Sequence, residues 1–105
     1  TNCFDAAYAA CKMALEHMTP VVLLTDGFLG NGAQPWKIPS LKDYPSITPR
    51  VAKEGDDYKP YARDPETLAR MWALPGTKGL EHRIGGLEKV NVTGEISYVP
   101  ETTRL

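Results

Sequence analysis

The sequence has no long hydrophobic run, only two cysteines and no surplus of charge of either sign, and each shortage closes off a class of protein. The longest run of large aliphatic residues is Val21-Val22-Leu23-Leu24, far short of the roughly 20 apolar residues that cross a bilayer as a helix. No charged-then-apolar leader with a small-residue cleavage site occurs in these residues, so the expected location is the cytoplasm, without membrane attachment. Lys and Arg total 12 against 13 Asp and Glu, a formal charge of -1 with the signs interspersed, and no basic patch is left to recruit nucleic acid. Cys3 and Cys11 fall eight residues apart on one expected helix. That spacing is a rise of about 12 Å, whereas a disulfide needs Cα atoms within about 7 Å. With His17 they do not reproduce zinc or iron-sulfur ligand spacing, and no serine lies in a G-x-S-x-G elbow. The cysteines therefore read as small apolar residues in a reducing compartment. The sequon Asn91-Val92-Thr93 is a chance match in a chain without a secretory signal.

Regular structure is scarce as well. Seven of the nine prolines lie between Pro35 and Pro75, and proline removes a backbone donor and is barred from helix interiors and central strands. A chain of 105 residues makes one small domain at most, and a structureless stretch of that length is unusual within one. Either the stretch wraps a neighbouring surface or the chain is a fragment of something larger. The fragment is the expectation, because the chain starts at Thr1, opens almost at once into a helix and ends at Leu105 shortly after an expected strand.

The strongest local signal is at the start. Phe4, Ala7, Tyr8, Cys11, Ala14, Leu15 and Met18 recur at steps of three and four, with Asp5, Lys12 and Glu16 off the stripe, which predicts an amphipathic helix over residues 3–18. Asn2 is placed to cap it, Asp5 adds negative charge to its first turn, and Pro20 stops it. Val21 to Leu24, bounded by Pro20 and Asp26-Gly27, reads as a strand buried on both faces of a parallel sheet. Helix then strand is half of a β-α-β unit, and the other strands such a sheet needs are expected upstream of Thr1. The expected fold class is thus α/β: a piece of a parallel-sheet domain followed by a long irregular proline-rich connector.

Further along, Gly27, Gly30 and Gly32 predict a loop at the carboxyl end of that strand, read first as a plain turn out of the sheet; the alternative is a ligand-binding loop, since α/β proteins bind ligands at that end. Asp64 and Pro65 predict a short helical turn through Leu68. Tyr44, Tyr58, Tyr61 and Trp72 are expected to anchor extended chain to a surface, and Glu95 to Val99 alternates as a strand does. GTKGLEHRIGG, residues 76–86, tempts as a phosphate cradle but has neither the Walker nor the G-x-G-x-x-G spacing. His82 beside Arg83 reads first as an interface ion pair or loop anchor; the alternative is a pair that orients an anionic substrate or donates a proton.

TPVVLLTDGFLGNGAQPWKIP (residues 19–39), WALPGTKGLEHRIGGLEK (72–89) and TGEISYVPE (93–101) together resemble the alpha subunit of 2-oxoacid:ferredoxin oxidoreductases. The similarity is strongest to the 2-oxoglutarate type, in which a strand ending in Ser-Asp-Gly leads to Glu-Pro-Trp and later to Gly-Leu-x-His-Arg-Ile-Gly-Gly-Leu-Glu. The counterparts are Thr25-Asp26-Gly27, Gln34-Pro35-Trp36 and Gly79 to Glu88. Gln34 replaces a frequent glutamate, so that position carries no carboxylate, and Met71 replaces a frequent proline.

The resemblance implies an enzyme converting a 2-oxo acid, coenzyme A and oxidised ferredoxin into acyl-coenzyme A, carbon dioxide and reduced ferredoxin. It implies thiamine diphosphate, Mg²⁺ and a [4Fe-4S] cluster in the intact complex, with a beta subunit supplying the diphosphate and metal site and the cluster. It divides the chain into residues 1–27, the last helix and strand of the pyrimidine-side thiamine diphosphate-binding domain; 28–90, an extended connector; and 91–105, the start of the next domain. No catalytic, cofactor-binding or metal residue is then expected here, since the substrate-binding YPITP loop and the activating glutamate would precede Thr1. DYPSITPR, residues 43–50, is no such loop: Ser46 shifts Ile47, Thr48 and Pro49 by one position, which reverses the face each side chain presents. The candidate cleft or subunit-interface residues are Asp26, Gly27, Trp36, His82 and Arg83. The competing expectation is a noncatalytic interaction module that wraps a partner with its proline- and aromatic-rich segment.

Overall fold

The computed structural model describes residues 3–101; Asn2, expected to cap the first helix, lies outside them. Two compact units are present, Thr1–Thr48 and Pro49–Leu105.

The first unit is built on helix α1, Cys3–His17, with Asp5 in its first turn and His17 in its last, as charge complementarity to the helix dipole favours. Lys12 and Glu16 form an i,i+4 ion pair along it, which holds the Glu16 carboxyl below its usual range. The helix stops where Pro20 requires. Met18 enters the left-handed region at φ 47, and the Thr19 N–H reaches back to the Ala14 carbonyl at 3.3 Å, a pattern that satisfies an otherwise orphaned carbonyl at the helix end. No residue of α1 is buried; Phe4 and Leu15 of the apolar stripe are each 41% exposed. An apolar helix face needs a second layer, and only part of one is present here.

Val21 to Leu24 carries no ladder hydrogen bonds, contrary to the expected buried strand. Val22 is 79% and Leu24 87% exposed, and the β-bridges among the described residues all lie at or beyond Val51. A parallel strand cannot be buried without neighbours on both sides, and these residues supply none. The glycine-rich stretch expected as a loop begins instead with a short helix α2, Gly27–Asn31. Asp26 caps it by accepting the Leu29 N–H at 2.9 Å, and the Asn31 side-chain amide donates to the Gly27 carbonyl at 2.8 Å. A 3-10 turn, Leu41–Asp43, capped by Ser40, ends in Tyr44.

The second unit has no α-helix among the described residues and is held by isolated bridges. Val51 pairs parallel with Trp72, and Tyr61 with Val92, Arg63 with Arg70 and Lys89 with Ile96 pair antiparallel. The turn expected at Asp64 forms: its carboxylate accepts the N–H groups of Glu66 at 3.0 Å and Thr67 at 2.9 Å. The Leu68 N–H then closes onto the Asp64 carbonyl at 2.9 Å. Glu95 to Val99 pairs only at its start, in a hairpin whose Val90 N–H to Glu95 carbonyl bond is 2.7 Å and Ser97 N–H to Glu88 carbonyl bond 3.0 Å. Beyond Ser97 the chain opens to solvent, because the partner arm is only Glu88 to Val90. The buried residues among those described are Ala52, Ala69, Leu80, Gly94 and Ser97. Tyr61 lies between the Arg70 guanidinium, 4.8 Å from its centroid, and Gly94, where φ is +74 and an added Cβ would sit 2.6 Å from the ring. No helix among the described residues is long and apolar enough to cross a membrane.

Candidate functional site

Of the five expected site residues, Asp26, Gly27 and Trp36 belong to the first unit and His82 and Arg83 to the second.

In the first unit, the turn of α2 presents Phe28 and Leu29 to an apolar cavity of about 560 Å³ that Phe4, Trp36, Gly32 and Cys3 also line. Trp36 stands 5.7 Å from the Phe4 ring. The Asp26 carboxylate is spent on the Leu29 N–H, so it shapes the cavity wall as a helix cap. Gly27 opens α2 with free space where a side chain would be. Gln34 contributes amide polarity to the lining. The lining holds no acid–base pair, and its chemistry is that of a seat for apolar side chains or a ring.

Beside this cavity, Tyr44 meets Phe4 edge-on at 5.2 Å and Tyr8 at 4.9 Å. Its hydroxyl donates to Asp5, while the Tyr8 hydroxyl donates to the Pro45 carbonyl. The DYPSITPR stretch is thereby anchored to α1 as the reading of Tyr44 as an anchor requires.

In the second unit, His82 and Arg83 line a cavity of about 320 Å³ together with Pro60, Thr93, Gly94, Glu95 and Ile96. The His82 Nδ1 stands 2.9 Å from the Leu80 carbonyl. A carbonyl only accepts, so Nδ1 carries the hydrogen, and in the neutral ring Nε2 is left as acceptor. The ring centroid is 5.4 Å from that of Tyr58, whose phenol is raised by burial, with Arg70 working against the shift. Arg83 is exposed and makes no ion pair among the described residues.

Sequence reasoning passed over Lys89, which closes the same glycine-rich segment. Its ammonium nitrogen is buried and has no hydrogen-bond partner among the described residues. The available signal was a lysine closing the run Gly85-Gly86-Leu87-Glu88-Lys89, a pattern too common to single out. Among the described residues no group of three or more His, Cys, Asp or Glu is placed to hold a metal ion.

The profile of the family described as "Pyruvate flavodoxin/ferredoxin oxidoreductase, thiamine diP-bdg" matches residues 1–99. The chain is 54% identical over 99 residues to the 2-oxoglutarate oxidoreductase subunit KorA of Mycobacterium tuberculosis (strain ATCC 25618 / H37Rv), a match covering 94% of this chain. The chain spans about 15% of that curated relative's length. No solved structure matches.

Proposed function

The chain belongs to the thiamine diphosphate-binding family of pyruvate flavodoxin/ferredoxin oxidoreductases, and on that footing we propose that it is a segment of the alpha subunit of a 2-oxoglutarate:ferredoxin oxidoreductase. The observation carrying the substrate is the 54% identity, over nearly the whole chain, to a subunit named for 2-oxoglutarate. The complete enzyme would decarboxylate 2-oxoglutarate oxidatively, transfer the acyl group to coenzyme A and pass electrons to ferredoxin. Thiamine diphosphate, when bound, supplies the centre that stabilises the carbanion left by decarboxylation, and the protein supplies placement.

The intact complex would hold Mg²⁺ beside the diphosphate. We assign that ion and the [4Fe-4S] cluster to a beta subunit, and the catalytic groups to parts of the protein outside this segment. Residues 1–27 are assigned to the end of the pyrimidine-side domain, 28–90 to a connector and 91–105 to the following domain, in a cytoplasmic complex.

The role proposed for the segment is scaffold and subunit interface. The exposure of Val22, Leu24, Phe28 and Trp36 supports it, since large apolar side chains left open to water in one stretch of chain suit a contact face. Asp26 holds α2 in place and so orients Phe28 and Leu29; Trp36 and Phe4 complete the apolar seat.

The test is to purify the full-length subunit with its partner and follow ferredoxin reduction. Reduction dependent on both 2-oxoglutarate and coenzyme A is expected, with none from the 105-residue chain alone. Preference for pyruvate, or turnover by the isolated chain, would contradict the proposal.

A further inference from the structure

We propose that the cavity between His82-Arg83 and the turn at Gly94 binds a free aliphatic α-amino acid as its zwitterion, carboxylate toward Arg83 and ammonium toward Glu95. Arg83, Glu95, His82 and Thr93 line this one cavity of about 320 Å³. Arg83 and Glu95 are exposed, and neither makes an ion pair among the described residues. Opposite charges that share a cavity without pairing leave a fork of donors and a carboxylate open to an occupant.

Both walls are held before any ligand arrives. On one side the Gly94 N–H donates to the Val90 carbonyl at 3.0 Å, and the Tyr61 N–H donates to the Val92 carbonyl at 3.0 Å. Gly94 is buried, and a Cβ there would meet the Tyr61 ring at 2.6 Å and Pro60 at 3.3 Å. The turn that carries Thr93 and Glu95 is thereby seated against Pro60 and Tyr61. On the other side the His82 Nδ1 stands 2.9 Å from the Leu80 carbonyl, and Leu80 is itself only 4% exposed. The Tyr58 ring backs the imidazole at 5.4 Å between centroids. A site ordered in advance loses less conformational freedom when a ligand binds.

The donors and acceptors select the ligand. Arg83 carries N–H groups in a planar fork that matches a carboxylate, and the Thr93 hydroxyl adds another donor. Glu95 only accepts, and with Nδ1 donating to the Leu80 carbonyl the neutral His82 ring offers Nε2 as a further acceptor for an ammonium. A simple anion would meet Glu95 as a like charge, and a simple cation would meet Arg83 so, which disfavours both. A zwitterion satisfies the two ends together. Pro60 and Ile96 complete the lining with apolar surface, which suits an aliphatic side chain. A volume of about 320 Å³ lies at the lower end of the range for small-molecule sites, about 300 to 1,000 Å³.

The experiment is equilibrium dialysis of radiolabelled L-leucine against the full-length subunit in its complex, with 2-oxoglutarate saturating so that the oxo-acid site is filled. Saturable binding is expected, weakened at least tenfold in Arg83→Gln and in Glu95→Gln. N-acetyl-L-leucine, which lacks the ammonium, and L-leucinamide, which lacks the carboxylate, should each compete at least tenfold less well than leucine. Both variants alter exposed residues, and either one tests the site if the other fails to assemble. Absence of saturable leucine binding, or full-strength binding by a folded variant, overturns the proposal. Competition by N-acetyl-L-leucine or L-leucinamide equal to that by leucine overturns the zwitterion assignment.

Discussion

Tyr44 donates its hydroxyl hydrogen to the carboxylate of Asp5, thirty-nine residues earlier in the first turn of α1. That bond, with the edge-on packing of Tyr44 against Phe4 and Tyr8, turns a proline-stiffened segment into a strap over the helix. A phenol bonded to an anion resists ionisation, and the Tyr44 hydroxyl is pushed up to about 12 from its ordinary 10.

The first prediction follows from that shift. The folded state favours the neutral phenol, so the contribution of this bond is fully present below pH 10 and is lost as pH rises through about 12. Phenolate absorbance should show one tyrosine titrating late, and Asp5→Asn should return it toward the ordinary value. A late tyrosine that persists in Asp5→Asn would remove Asp5 as the cause.

Asp64 behaves in the opposite sense. The N–H groups of Thr67 and Glu66, aided by Arg50, hold its carboxyl down at about 2 against an ordinary 3.8. Its contribution is present above pH 3.8 and is lost as pH falls through about 2. Carboxyl-carbon NMR should find this low value in the folded protein. Arg50→Gln should raise it only slightly, because the two backbone donors are the larger causes; an ordinary value in the unmodified protein would contradict the turn.

Gly94→Ala forces a methyl to within 2.6 Å of the Tyr61 ring at a residue whose φ is +74. Overpacking and left-handed backbone each disfavour this, and the expected cost is about 1 to 3 kcal/mol. Urea unfolding of the full-length subunit reads it directly. An unchanged midpoint would mean that the ring can move aside freely.

Leu24 tests the scaffold role. It is 87% exposed in this segment, and if the rest of the subunit covers it, Leu24→Asp buries a charge without a partner. A loss of at least about 2 kcal/mol is expected in the full-length subunit, with no change in the circular dichroism of the 105-residue chain. Equal tolerance in both would place Leu24 at a surface open to water.

The legible parts of this fold are those whose causes lie within a few residues. The α1 stripe, its stop before Pro20 and the Asp64 turn each depend on side chains or backbone groups nearby in sequence, and local spacing showed them. The family was legible for another reason: motifs in order over the whole chain, which the match to the KorA subunit bears out. Asp26, Gly27, Trp36, His82 and Arg83 were readable as a set of positions, but not their local roles.

By itself, then, the sequence determined where α1 forms and ends, where the Asp64 turn closes and which family the chain joins, because each rests on short-range sterics, hydrogen bonding or an ordered motif. Only the tertiary structure decided that Tyr44 finds Asp5. It alone placed the Tyr61 ring against Gly94 and left the Lys89 ammonium under a glycine loop. These outcomes depend on contacts between distant residues, whose closure reflects the whole folded path and leaves no periodic signal along the chain.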